Sequence, residues 1–387
     1  MSNVKVMRSS DYGAPVLYGS VSSSYNLVNL LDVCLNQGYG QMSVSSITHN
    51  NGVVTVTTAV AHNLKYGARH TIAGVNESGY NGDWLITPTG TYTFTYEAAG
   101  ITVNTGTGTI TSKNTGCGWS KPYTGTNLGA IRQGGGNQRY LRIDDSSTLY
   151  ARLVGYGAMT DINSGTEPFP TASQIASGLY MQRSSTADLT NAREWILIAD
   201  DRSFYLWVGY NSTYPYTDAP MMGFFDYPST RSGDAYNTAL LAPNSNAATG
   251  FRFSFLNTYV QLVSTGGMYG LRSYTQIGTS VELSRISDYS KGYTQANMGA
   301  TGLVFPHPPD GALYQSPVWI VEPASTVANS IIRGVMPGIW NPLHLRPLAH
   351  ADVYFGTGSL AGKMFLALNI QPTAQVMVEI GGTWSYS

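Results

Sequence analysis

The sequence predicts a mainly β protein: a β-sandwich-like body with one clear N-terminal helix, carrying an inserted small β-sandwich or barrel module. Three observations carry that expectation. Short β-branched and aromatic runs, punctuated by Gly and Asn turns, fill most of the 387 residues. A single segment near the N-terminus has sustained helical spacing. Over residues 43–113 the texture changes to many short strand-like segments rich in Thr and Gly.

The helix is predicted in "SVSSSYNLVNLLDVCLNQGYG", where Leu27, Leu30, Leu31, Cys34 and Leu35 fall on one face. Ser22 to Ser24 offer N-caps, and Gly38 can take the left-handed conformation that ends a helix. Cys34 lies on the apolar face with no charge beside it to create a thiolate, so it reads as a buried thiol. The two cysteines, Cys34 and Cys117, have no metal-binding spacing.

In the central segment, "SITHNNGVVTVTTA" reads as strand, Asn-Gly turn, strand. "RHTIAGV", "GDWLITP", "TYTFTYEA" and "GTGTITS" follow as further short strands. Excising 43–113 would join "GYGQM" to "TGCGWSKPY", so residues 1–42 plus 114–387 are expected to form the host body, with a sub-boundary near 242–250. In that body "RYLRIDD" and "LYARLVGY" read as one hairpin, and the opening stretch as another. "GFRFSFL", "SPVWIVEPA", "MFLALNI" and "QVMVEIGGTWSY" continue the strand pattern, while "TASQIASGLY" and "DAYNTALLA" have spacing compatible with short helices. No repeat of solenoid or propeller length is present.

Charged residues make up 11% of the chain, against about 25% in ordinary soluble domains. With 27 Tyr and a net charge of −1, this is the composition of a folded chain with a neutral polar surface. Such a surface loses little desolvation energy when another protein covers it. Basic residues are scattered, so no nucleic-acid footprint is expected. No apolar run is long enough for a membrane span and no signal peptide is visible, which suggests synthesis and assembly in the cytoplasm.

Candidate chemistry begins with "REWILIADDRSFYLWVGYN". Successive side chains on a strand face opposite ways, so Asp200 and Asp201 cannot both face one substrate there. In a turn, Asp is favoured because its side chain bonds nearby backbone amides. Asp144 and Asp145 repeat the arrangement, which favours hairpin tips over two active sites. Glycosidases need two carboxyl groups about 5 to 10 Å apart, and no such setting is recognisable. His344 and His350, six residues apart with a proline between, lack chelating spacing, and His307 reads as a loop residue. "YFGTGSLAGKMF" matches G-x-G-x-x-A through Gly356, Gly358 and Ala361, but strands rather than a nucleotide-binding helix and strand follow. It reads as a glycine-rich turn; no cofactor and no metal site are expected, and neither is a serine-esterase elbow. The aromatic segment "YNSTYPYTDAPMMGFFDYP" supplies a candidate interface or recognition loop: Tyr210, Tyr214, Tyr216, Met221, Met222, Phe224, Phe225 and Tyr227. Clustered Tyr and Phe suit both sugar stacking and protein contact.

In the central segment, His62, Leu64, Gly67, Ile72, Gly74, Tyr80-Asn81-Gly82, Phe94-Thr95-Tyr96 and a closing Gly-Thr-Gly together resemble a small β module of tailed-phage virion proteins. The body, in "GAPVLYGSVSSSYNLVNLLDVCLNQGYG", "GWSKPYTGTNLGAIRQG", "SGDAYNTALLA" and "IIRGVMPGIWNPLH", also resembles phage and prophage structural proteins. The resemblance implies a non-enzymatic virion component (tail, baseplate, collar or capsid surface) whose partners are further copies and other virion proteins. Host-surface glycan recognition is the alternative, and an envelope or polysaccharide hydrolase a more distant one.

Overall fold

The structure is a computed structural model that describes all residues except 1–2, 20–25, 185–188, 214–215, 217–218, 245–265, 287–302, 324–329, 345–346, 372–373 and 387. It is mainly β, with three antiparallel sheets and, among the described residues, one short α-helix.

The longest sheet has 12 strands. In order across the sheet they are Lys5–Arg8, Trp195–Ala199, Ser203–Val208, Met221–Asp226, Thr238–Pro243, Gly266–Gly270, Val281–Ile286, Gln315–Glu322, Ile331–Pro342, Ala374–Ile380, Met364–Gln371 and Val353–Phe355. The sheet folds over on itself, and Val4 N–H donates to Gly382 O at 2.8 Å, tying the first strand to the end of the chain. Between the two halves lies one core, in which Ile196, Ile198, Tyr205, Trp207 and Phe225 meet Val318, Ile320, Ile339, Leu366 and Val378.

The other face of the first half supports a second core. There Trp195, Leu197, Phe204, Leu206, Met222 and Phe224 pack against the helix and a six-stranded sheet, which contributes Ile131, Leu141, Leu153 and Met181. The strands Trp195–Ala199, Ser203–Val208, Met221–Asp226 and Thr238–Pro243 are thus a central layer buried on both faces. That position explains their sequence. A strand with one wet face alternates apolar and polar, whereas one covered on both faces is apolar throughout.

The helix Leu27–Asp32 continues as a π turn, Val33–Gln37, and Gly38 ends it at φ +74°. Its N-cap is Asn26, whose side chain accepts from Asn29 N–H, two positions beyond the last of the expected serines; Ser22 to Ser24 lie outside the described residues. Cys34 and Cys117 are both buried and unbridged, and burial pushes the Cys117 thiol up to about 12.

Residues 39–114 build the third sheet, of seven strands, around a core of their own that includes Ile47, Val56, Leu64, Ile72, Tyr80, Phe94 and Ile110. Its first hairpin turns at Asn51 and Gly52, both at positive φ (48° and 82°), the geometry a two-residue Asn-Gly loop supplies. Tyr39 is the register partner of Asn114, so the chain enters and leaves this unit on neighbouring strands.

Tyr140–Asp144 and Tyr150–Asp161 pair as the expected hairpin. Three other expectations need correction. The opening stretch is not a hairpin, because Lys5–Arg8 pairs with Trp195–Ala199, a distant strand with a free edge and a matching apolar pattern. "TASQIASGLY" makes only one turn after Thr171: Ser177 and Gly178 take positive φ (63° and 89°), and Leu179–Gln182 is already strand. "DAYNTALLA" is strand from Thr238 onward, since Ala239 and Leu241 fill one core while Leu240 and Ala242 fill the other. "GFRFSFL" and residues 245–250 of the proposed sub-boundary lie outside the described residues.

Candidate functional site

Asp200 and Asp201 occupy the tip between Trp195–Ala199 and Ser203–Val208. Asp200 is buried. One carboxylate oxygen accepts the backbone N–H groups of Arg202 and Ser203, each at 2.8 Å, and the other accepts the Tyr386 hydroxyl at 2.7 Å. Burial outweighs these bonds and lifts the carboxyl to about 6. The Asp201 carbonyl accepts Gly134 and Gly135 N–H, clasping a neighbouring loop. This is a turn held from inside.

Asp144 and Asp145 differ from that pattern. Asp144 Oδ1 makes the local turn bonds, to Ser146 N–H and hydroxyl. Asp145 is fully buried, ion-paired with Arg183 Nε at 2.5 Å, and accepts the Leu27 N–H at the helix start. It therefore anchors the helix to the hairpin, at the end where a negative charge is favourable. Burial raises its carboxyl to about 6.

The histidines are each held by neighbours. His62 Nδ1 accepts Leu64 N–H, and His70 meets Ser112 Oγ at 2.9 Å while burial lowers its pKa to about 3. His344 Nε2 accepts Tyr314 N–H; His350 Nδ1 accepts Asn369 N–H, its ring lying between Trp207 and Tyr216. His307 pairs with Asp310 in a loop, and that carboxyl is held down to about 2 by its Ala312, Tyr314 and His307 bonds. Gly356 to Ala361 form the turn between Val353–Phe355 and Met364–Gln371. Among the described residues no three His, Cys, Asp or Glu side chains gather as metal ligands.

The aromatic segment divides. Met221, Met222, Phe224, Phe225 and Tyr227 are fully buried, so they are core and not a recognition loop. The strand alternates between the two cores and offers none of these side chains to a partner. Tyr210 is half-buried, Tyr216 is exposed, and Tyr214 lies outside the described residues.

Sequence reasoning missed a cleft of ≈ 550 Å³ where the seven-stranded unit meets the body. Arg8, Lys65, Tyr66, Glu194, Asp352 and Phe355 line it, drawn from four separate segments. Gly67, at φ +87°, brings the loop close to the body: a Cβ there would lie 2.6 Å from Ile380 Cδ1. Arg8 donates to the Tyr66 carbonyl at 2.8 Å, and Lys5 bonds Asp83 and Thr115 nearby. Tyr66 and Phe355, 42% and 57% exposed, meet edge to face at 6.1 Å. Burial raises the Glu194 carboxyl, whose Oε1 lies 3.8 Å from His350 Nε2. A second hollow of ≈ 500 Å³ runs from His62 to Tyr66 and across to Pro88. Exposed Tyr12 and Tyr92 flank the same loop, the Tyr12 N–H bonding to His62 O and Thr91 O accepting from His62 N–H. The result is a surface rich in rings with charges of both signs at its edge.

Fold and cleft together define a multi-sheet β protein with an aromatic junction surface. No family model matches the sequence, and no curated protein matches it. Among solved structures, the phage phi92 endosialidase is similar at 11% identity and a TM-score of 0.17, covering 89% of this chain and 52% of that one. This chain thus spans about half the length of that protein, and a TM-score so low carries no argument about fold or function. No helix among the described residues is long and apolar enough to cross a membrane.

Proposed function

We propose that the protein is a non-enzymatic structural component of a tailed-phage virion, binding further copies of itself and other virion proteins through neutral aromatic and glycine-rich surfaces. The observation that carries this reading is where the charges lie. The chain has 21 basic and 22 acidic side chains. Among the described residues twelve of them are buried: Lys5, Arg8, Asp11, Asp32, Arg69, Asp145, Arg183, Arg193, Asp200, Asp226, Arg285 and Arg333. With only 11% charged residues in the whole chain the surface carries few charges, and exposed rings gather around the His62–Tyr66 loop. Covering such a surface removes few ions from water, and Tyr and Phe contribute large contact areas at interfaces.

The carboxylates add support from the other side. Asp145, Asp200 and Asp226 have their oxygens committed to backbone and side-chain donors that hold loops together. A carboxylate bonded in this way has its geometry fixed by the fold. Mass spectrometry of purified particles, with sedimentation of the isolated protein, tests the proposal. The expected result is the chain in the particle and self-association at high concentration; a persistent monomer missing from particles overturns it.

A further inference from the structure

A third concavity, of ≈ 400 Å³, opens on the far half of the long sheet, where Trp319, Lys363 and Glu379 stand beside the core residues Met336, Ile339 and Trp384. It is lined by Trp319, Trp340, Trp384, Lys363, Glu379 and Gly338 among others. Strand alternation sets its floor: Val318 and Ile320 point into the core, so Trp319 between them points out. Its size falls within the roughly 300–1,000 Å³ of small-molecule sites.

The groove is rigid by construction. Gly338 sits at φ +69° directly under Trp384, where a Cβ would lie 2.0 Å from the indole Nε1. Gly334 lets the Pro228 carbonyl approach, with only 2.2 Å to the place of a Cβ, and so holds the segment Pro228–Thr230 as a wall. Pro317 and Pro337 stiffen two more sides. Trp340 is fixed at its indole N–H, which donates to Glu379 Oε2 at 3.2 Å, and Lys363 bonds both oxygens of the same carboxylate at 2.7 and 2.8 Å. Groups held this way lose little freedom on binding a ligand.

Its charge is balanced. Lys363 and Glu379 are the charged side chains lining it, and they neutralise each other, so neither an anion nor a cation is drawn in. What remains is an outward indole at Trp319, a fixed ammonium–carboxylate pair able to donate and accept, and the exposed hydroxyls of Thr383 and Ser385. An uncharged sugar has the matching chemistry: an apolar ring face for the indole and a rim of hydroxyls that both donate and accept. We propose that this groove is a binding site for an uncharged saccharide, with Trp319 as the stacking platform and the Lys363–Glu379 pair contacting hydroxyls. This goes beyond assembly and holds whether or not the assembly reading does.

The test uses the full chain on an array of neutral hexose and N-acetylhexosamine oligosaccharides, with uronic- and sialic-acid-bearing oligosaccharides beside them. The expected result is binding to neutral members at physiological salt, weakened at least tenfold by Trp319→Ala and by Ser385→Trp. The second variant fills the groove from an exposed position and leaves the core intact. Circular dichroism confirms that both are folded, and incorporation into particles, measured separately, stays unchanged. Absence of binding to every neutral member, binding restricted to acidic members, or neutral binding undiminished in a folded Ser385→Trp protein overturns the proposal.

Discussion

Replacing Asp200 by Asn separates a turn carboxylate from a reactive one. In the fold, burial lifts the Asp200 carboxyl from the ordinary 3.8 to about 6. A proton is therefore held more tightly in the fold than in the unfolded chain. The stability this contributes is fully present below about pH 4 and is lost as pH rises through 6. Each pH unit of that gap is worth about 1.4 kcal/mol, so the charged form costs the fold up to about 3 kcal/mol at pH 8. Asn keeps the acceptor for Arg202 and Ser203 N–H and offers its amide to the Tyr386 oxygen. Urea unfolding of both proteins at pH 4 and pH 8 measures the effect. The substitution should be more favourable at pH 8 than at pH 4 by up to about 3 kcal/mol, with other carboxyls cancelling in the comparison. An equal effect at both pH values, or a larger loss at pH 8, would refute the reasoning and identify a carboxylate stabilised in its charged form.

Truncating Phe224, which lies in the central layer, to Ala should cost about 3–5 kcal/mol in unfolding experiments, whereas half-buried Tyr210→Ala should cost below about 1 kcal/mol. Gly67→Val drives a side chain toward Ile380 and Val6 at positive φ, so it should lower stability by about 1–3 kcal/mol, read as a drop in thermal midpoint. Excising 43–113 across the paired ends Tyr39 and Asn114 should leave a body that unfolds cooperatively with a β-type circular dichroism spectrum; an aggregated product would show that the body needs the excised unit.

The sequence made the β character legible because alternation and apolar runs are local signals. Asn51-Gly52 marked its hairpin through the same kind of local chemistry, a turn that requires positive φ at both positions. The helix was legible from one apolar stripe, although its N-cap shifted to Asn26 because the Asp145 carboxylate takes up the Leu27 N–H. What could not be read was which layer each strand occupies. Met221 to Tyr227 look like an aromatic interface when read alone, and only the two cores flanking them reveal a doubly covered strand. Thr238–Pro243 shows the same limit, since its helical spacing yields to sheet pairing on both sides. The junction cleft left no sequence signal at all: Arg8 and Glu194 are brought together by a strand pairing that joins residues nearly two hundred positions apart, and Lys65 and Asp352 come from two further segments. The paired aspartates were legible as turn residues at Asp200, while the role of Asp145 depended on a helix over a hundred residues away.

A density map of the intact particle, with this chain traced in it, tests the central claim most directly. The account predicts repeated copies whose Tyr12, Tyr66, Tyr92 and Phe355 surface is buried against neighbouring protein. Copies whose junction cleft stands open to solvent with no neighbour against it, or particles that lack the chain, would contradict it.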